Sequence, residues 1–338
     1  MTDLQVLSKI KEQPFVTNSF MTEHEIFDEN GSCNFENQIT DEVFCFFKNI
    51  NNEFKNMFFY ATQNALLAKN PIAYKELQIV TEVFLLEHEV EKALQIKNWL
   101  NSQGNYNCHT VFRMNRVRHE YEPDKNYSLI QNPNENDFEV LLKILEKNFD
   151  KYTERIPTLE KLKELKDSIY LIKEDNQIAA IFVTEVKETT RHMLFWLVIS
   201  DFRGKGYGEL IFKYILNCNL DIKRFTSWIN VKNKYSIKKH AEFGFVKDRI
   251  INFIYLNTNI MKEKIIKILE ETRPEFDFRD ESVNFISAEY LDSFDIITLV
   301  VDIETAFDVK IIGALILPEN FSSVAAILKL IEISKNAS

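Results

Sequence analysis

Glycine is the scarce residue in this chain, with seven in 338 positions. A chain so sparing with glycine keeps it where the backbone needs a left-handed turn or a close approach. Four of the seven fall in two short stretches, Gly204, Gly206 and Gly208, then Gly244. Cysteine is scarce as well. Cys33, Cys45, Cys108 and Cys218 stand alone with no C-x-x-C pair, which argues against a disulfide framework or a zinc site, and no metal is expected. Long hydrophobic runs are missing. "MLFWLVI" at 193–199 is strand-sized, far short of the ~20 residues of a membrane span. The N-terminal "MTDLQVLSKIKEQ" has no apolar signal core, so the expectation is a cytoplasmic protein with no membrane span. Positive charge is in deficit, with 41 Lys and Arg against 51 Asp and Glu and a net charge of −10. That excludes nucleic acid as the expected partner, since phosphate affinity comes from clustered cations. From Thr258 onward, fifteen acidic residues face eight basic ones, which suits a partner with a basic surface.

With 45% hydrophobic residues, the chain can bury two or three domain cores. "DLQVLSKIKEQ" and "DEVFCFFKNINNEF" read as helices, and "KNMFFYAT" (55–62) and "KELQIVTEVFLLE" (75–87) as strands. "EVEKALQIKNWLNSQG" (89–104) has apolar residues at helical spacing and a terminal glycine, and a strand follows at 106–117. The polar stretch 120–126, with Pro123, reads as a boundary. Beyond it come a strand at 127–131, a helix at 134–149 capped by Asn134 or Asn136, and a helix at 158–166. A strand pair turned at Glu174-Asp175-Asn176, a buried strand at 192–200 and a helix at 207–219 follow. Strand 225–231, helix 234–244 and strand 246–257 complete the unit. Helix, glycine, aromatic and strand recur at 89–117 and 234–257. Duplication would produce this echo, and so would many α/β folds. After Asn257 the pattern becomes helices alone.

"SDFRGKGYGELIF" follows a buried strand and opens a helix. Backbone N–H groups at such a junction suit a phosphate or pyrophosphate, and Arg203 and Lys205 add charge. A P-loop needs G-x-x-x-x-G-K-[ST], which is absent. A dinucleotide fingerprint needs G-x-G-x-x-G, and the spacing here is G-x-G-x-G. Arg203-Gly204-Lys205-Gly206-Tyr207-Gly208 resembles the coenzyme A loop of the GNAT acyltransferases, [RQ]-x-x-G-x-[GA]. "NVKNKYSIKKHAEFGF" (230–245) resembles that family's later N…helix…G-F segment. The resemblance covers roughly 127–257. It implies a mixed sheet with helices and direct acyl transfer from acetyl-CoA or another acyl-CoA to an amine. The pyrophosphate would lie on the amides of Lys205, Gly206 and Gly208, the thioester near the backbone of Leu197 and Val198, and the pantetheine arm beside Asn233. His240 occupies the position of the family's proton-donating Tyr. The family's acidic base is missing before the loop, and Glu185 is its substitute.

"YLDSFDIITLVVDIETAF" (290–307) begins as a capped helix. Ile296, Leu299, Val300, Ile303 and Phe307 form one apolar face, with Asp292, Asp295 and Glu304 outside it. Asp292-Ser293-Phe294 running to Glu304-Thr-Ala-Phe307 resembles the signature of the acyl carrier proteins. That resemblance implies a small four-helix bundle, 4′-phosphopantetheine on Ser293 and a phosphopantetheinyl transferase as partner, with Ile297 and Val301 as a docking patch.

The combined expectation is an α+β/α/β chain. It has a region 1–120, either a degenerate GNAT-like copy or a plain α/β unit, an acyltransferase domain at 125–257 and a carrier domain at 258–338. The enzyme would N-acylate a small-molecule or carrier-tethered acceptor in a specialised biosynthetic pathway. The alternatives are S-acyl loading of its own carrier, and a non-catalytic scaffold docking the carrier to partner synthases.

Overall fold

The computed structural model describes residues 3–12, 14–19, 21–28, 30–50, 53–69, 78–117 and 125–337. Most of the boundary read at 120–126, including Pro123, and the first residues of the strand read at 75–87 lie outside the described residues. The chain divides into two compact units, Met1–His109 with Phe253–Ser338, and Thr110–Asn252.

The first unit opens with α1 (Asp3–Glu12), β1 (Val16–Thr17), α2 (Glu23–Ile26) and β2 (Glu36–Ile39). β3 (Val43–Asn49), β4 (Lys55–Ala61), α3 (Gln63–Ala68), β5 (Ile79–Leu86), α4 (Val90–Ser102) and β6 (Asn105–Val117) follow. β2, β3 and β4 pair antiparallel, and β4 pairs parallel with β5. The helix expected over 41–54 is instead β3. Val43, Cys45 and Phe47 join one buried cluster and Phe44 and Phe46 another, so "VFCFF" is buried on both faces by alternation. A run buried on both faces lacks a helix's single stripe and suits β-branched and aromatic residues in a strand.

In the second unit, the strand expected at 127–131 shrinks to β7 (Ile130–Gln131) behind a 3-10 turn, Lys125–Leu129. Tyr127 there packs edge-on against Tyr214, 5.4 Å between ring centres. α5 (Asp137–Asn148), α6 (Leu159–Glu164), β8 (Ile169–Glu174), β9 (Gln177–Lys187) and β10 (Thr190–Val198) follow. Neither Asn134 nor Asn136 caps the α5 amides. Asn134 Oδ1 accepts the Asn136 N–H at 3.0 Å, and Asn136 at the cap position makes no side-chain cap bond. Asp175 and Asn176, both at positive φ, make the two-residue turn between β8 and β9. α7 (Tyr207–Asn217), β11 (Arg224–Asn230), α8 (Lys234–Glu242) and β12 (Val246–Asn257) complete the order. The sheet runs β6–β11–β10–β9–β8–β7, with only β10–β11 parallel. α7 packs one face through Ile211, Phe212 and Ile215. α5 and α6 cover β8 and β9 on the other through Leu141, Leu145 and Leu162.

Residues after 257 return to the first unit as α9 (Thr258–Thr272), α10 (Ser293–Phe307) and α11 (Val324–Ala337). The predicted apolar face of α10 is buried, as are Ile265 and Leu269 of α9 and Ile327 and Leu330 of α11. Among the described residues this segment has three α-helices rather than the four that the carrier resemblance implies, with 3-10 turns at Gly313–Leu315 and Pro318–Phe321 between α10 and α11. Pro318, at the start of the second turn, cannot donate to a preceding carbonyl. Met261 Sδ lies 3.4 Å from Cys108 Sγ, tying α9 to β6.

Candidate functional site

In the second unit, β10 and β11 pair only over Thr190–Met193 and Arg224–Ser227. β10 nevertheless continues to Val198, held on its outer edge by β9, and β11 continues to Asn230, held by β6. Beyond Met193 and Ser227 the facing edges part, forming a wedge. A register shift between Met193 and Phe195 inserts Leu194 and bends β10 at the vertex. Alternate backbone groups from Phe195 to Val198 point into the wedge, where no described segment pairs with them. Because the Ile199 N–H bonds to the Ala179 carbonyl on β9, the backbone groups of Leu197 face β9 as well, and those of Trp196 and Val198 face the wedge, a strand edge without a partner strand that suits an extended ligand with amide groups.

At the open end of this edge the chain turns through Arg203 into the glycine loop. Gly204 and Gly206 have φ of +84° and +79°, and Gly206 is the N-cap of α7. Gly208 serves a different need, since a Cβ there would sit 3.1 Å from Val198 Cγ2 and 3.4 Å from Trp196 Cζ2. The start of α7 thus lies directly on β10, beside the wedge. The first amides of a helix have no intrahelical acceptor and carry its partial positive charge. Glu174, which sequence reasoning missed, organises the loop. It accepts from Lys205 Nζ at 2.5 Å and from Tyr207 Oη at 2.7 Å. These hydrogen bonds hold its carboxyl below the usual range and raise Lys205 and Tyr207. Arg203 has no carboxylate partner among the described residues, and its Nε reaches the Val198 carbonyl at 3.4 Å.

The remaining sequence candidates separate. Asn233 is exposed and caps α8, accepting the Ser236 N–H at 3.0 Å. His240 is buried among Trp196, Phe212 and Phe245, at ring separations of 5.8, 5.2 and 5.2 Å. Burial pushes its pKa down to about 4, against a smaller upward pull from Ser236. Its Nδ1 lies 2.8 Å from the Ser236 carbonyl, which fixes that nitrogen as the donor. A neutral, buried imidazole with its one N–H spent on a carbonyl does not meet the need for a proton donor. Glu185 stands on β9, engaged by Lys187 at 3.1 Å and Lys161 at 3.8 Å. Sequence reasoning also missed His192, cross-strand from Glu185, because a single histidine in an apolar strand gives no periodic signal.

The first unit has a similar strand arrangement with different contents. β4 and β5 pair parallel only at Lys55–Ile79 and Asn56–Val80, although both strands run on. β3 occupies the other edge of β4 throughout, so β1 must pair with β4 at Tyr60 and Ala61 on the edge that faces β5. The buried Asn18 side chain then bridges the strands. Its amide donates to the Met57 carbonyl at 3.0 Å and the Glu82 carbonyl at 2.8 Å, and its oxygen accepts the Phe59 N–H at 2.8 Å. This wedge is filled by the chain itself, and α3 after β4 opens on Thr62 rather than on a glycine loop.

Ser293 is exposed at the first position of α10. Asp292 caps the amides of Phe294 and Asp295 at 2.7 and 3.0 Å, and Asp295 accepts the Asp292 N–H at 2.9 Å, a capping box. Those hydrogen bonds, with Arg273 nearby, lower the Asp292 pKa. Arg273 clamps both acids, with Nε 2.9 Å from Asp295 Oδ2 and Nη2 3.0 Å from Asp292 Oδ2. Phe294, Ile297 and Val301 are 82, 62 and 58% exposed, an apolar strip running down the helix from Ser293.

Among the described residues no group of three or more His, Cys, Asp or Glu could hold a metal, and no helix is long and apolar enough to cross a membrane. The sequence matches no protein-family model and no curated protein. Solved structures similar to this chain include a GCN5-related N-acetyltransferase from Sphaerobacter thermophilus, at 10% identity and a TM-score of 0.44, covering 68% of this chain and 78% of that one. A GNAT-family acetyltransferase from Colwellia psychrerythraea is similar at 11% identity and a TM-score of 0.42, covering 75 and 96%. A putative GNAT-family acetyltransferase from Novosphingobium aromaticivorans is similar at 11% identity and 0.41, covering 66 and 91%. At such identities and TM-scores these likenesses carry no argument about activity, which must rest on the wedge and its loop.

Proposed function

We propose that the second unit binds an acyl-CoA and transfers its acyl group to an amine. The observation that carries this reading is the wedge between β10 and β11, with the glycine loop and the start of α7 at its open end. The edge of β10 at Trp196 and Val198 would take the two amides of the pantetheine arm. The amides of Lys205, Gly206 and Gly208, with Arg203, would take the pyrophosphate. In this reading Lys205 is held by Glu174 and shapes the loop, while Arg203 supplies the available charge. Asn233 would lie beside the arm. An edge that donates to the thioester oxygen stabilises the oxyanion formed on attack.

Ser293 is the proposed attachment point of a 4′-phosphopantetheine, added by a phosphopantetheinyl transferase. Its exposure at a capped helix start and the apolar strip below it support this reading. The chain would then act with its own carrier, as N-acyltransferase on a tethered or free acceptor, or by loading the arm itself. Intact mass tests this directly. Full-length protein treated with a phosphopantetheinyl transferase and CoA should gain one arm, lost in Ser293→Ala. Added acetyl-CoA should then leave one acetyl on the arm if the chain loads itself. Release of CoA only when an amine is supplied favours N-acylation. A chain that takes no arm has no carrier, and one that never releases CoA is no transferase.

A further inference from the structure

A row of polar side chains crosses the second unit's sheet just before the strands part. Glu185 on β9 is paired with His192 on β10, His192 with Thr226 on β11, and Thr226 with Asn115 on β6. Asn115 Nδ2 continues the row to Asp248 Oδ2 on β12 at 2.6 Å. Residues directly opposite on adjacent strands share a face of the sheet. On the face opposite α7, α6 reaches the β9 end of the row through Lys161, while at β10 and β11 Leu194, Arg224 and Trp228 are exposed beside it and His192 itself is half-buried. His192 therefore stands on an open face, one residue before the last β10–β11 pair, at the vertex of the wedge.

Its environment is specific. His192 Nδ1 lies 2.8 Å from Thr226 Oγ1, and Nε2 has no hydrogen-bond partner among the described residues. Charged groups act on it from Lys187 and Glu185 on the adjacent β9 and, across β11, from Arg113 on β6, which is itself paired to Asp248 on β12, while Lys161 on α6 reaches Glu185. Burial and the two cations lower its pKa, and Glu185 opposes them. A lowered value keeps the ring neutral at pH 7, the state of a proton acceptor.

We propose that His192, oriented by Thr226, is the proton acceptor for an amine that approaches the wedge from this open face. The proposal rests on the acyl-transfer reading above. Nδ1–H donates to Thr226 Oγ1, leaving the Nε2 lone pair free. The acceptor arrives as an ammonium ion, and Nε2 takes one of its protons. The freed nitrogen lone pair attacks the thioester carbonyl carbon, and a C–N bond forms. The C–S bond then breaks, and sulfur leaves with its electron pair. The second nitrogen proton reaches the sulfur through solvent to give CoA thiol. The imidazolium returns its proton to water, and the face is ready for another amine. Glu185 is in this account a positioning residue, which stabilises the transient imidazolium across the strand.

Nitrogen-detected NMR of the histidine rings in the full chain tests this, with His192→Gln to assign the signal. The expected result is the Nδ1–H tautomer at pH 7, titration below the ordinary histidine range and a shift when acetyl-CoA is added. Thr226→Val should release the tautomer without unfolding the sheet. An Nε2–H tautomer overturns the proposal, as does a ring indifferent to acetyl-CoA whose binding calorimetry has established. Absence of acetyl-CoA binding by calorimetry would instead overturn the acyl-transfer reading on which the proposal rests, so the two failures are distinguishable.

Discussion

The oxygen of the Asn18 side chain accepts the backbone N–H of Phe59 at 2.8 Å. One side chain thereby completes the edge of β4 that β5 leaves unpaired. The second unit has a comparable parted strand pair, in which no described strand pairs with the wedge-facing groups of Trp196 and Val198. The two parted strand pairs therefore differ in contents, since the first is bridged by Asn18 and no described side chain bridges the second in that way.

Replacing Asn18 by Ala should therefore destabilise the chain. Three hydrogen bonds are lost, two of them buried and one part-buried, and leaving their backbone partners unsatisfied costs about 3 kcal/mol in all. Urea unfolding measures the loss, and the binding stoichiometry of acetyl-CoA should not change, because the first unit has no glycine loop.

Stability should fall in mild acid. His240 is neutral in the fold with a pKa of about 4, against about 6.5 in an unfolded chain. Between these values the unfolded state binds more protons, so stability rises with pH across that window and is lost as pH falls through it. The full window corresponds to about 3 kcal/mol. His240→Phe, which keeps an aromatic ring in the cluster, should flatten that part of the profile. Melting temperature between pH 4 and 7 gives the comparison, and an unchanged slope would place the acid sensitivity elsewhere.

Arg273 should matter to Ser293 without touching it. The guanidinium bridges Asp292 and Asp295, the two halves of the cap. Arg273→Met leaves two carboxylates facing each other and should loosen the first turn of α10. The expected outcome is a several-fold slower addition of the pantetheine arm, read by intact mass, with Arg273→Lys recovering part of the rate. An unchanged rate would make the clamp irrelevant to the arm.

The sequence revealed most where a local pattern matched a local cause. The face of α10 follows from helical spacing, and Gly204 and Gly206 follow from the left-handed backbone they adopt. β3 was misread because "VFCFF", without regular alternation of apolar and polar residues, does not distinguish a helix from a strand buried on both faces. The His240 position in the motif was visible, but its depth among Trp196, Phe212 and Phe245 depends on strands far away in the chain. Glu174, His192 and Asn18 were illegible for the same reason. Glu174 meets Lys205 across 31 residues and Asn18 meets Phe59 across 41, through pairings that only the folded sheets bring together.

The central claim is that an acyl-CoA occupies the open wedge under the glycine loop. Gly208 is the point at which to test it, since any Cβ there meets Val198 and Trp196 and lifts the start of α7 away from β10. Calorimetric titration of the full chain with acetyl-CoA should give one site, retained in Ser293→Ala and weakened at least tenfold in Gly208→Val. Absence of binding to the native chain, or equal binding by Gly208→Val, would contradict the account.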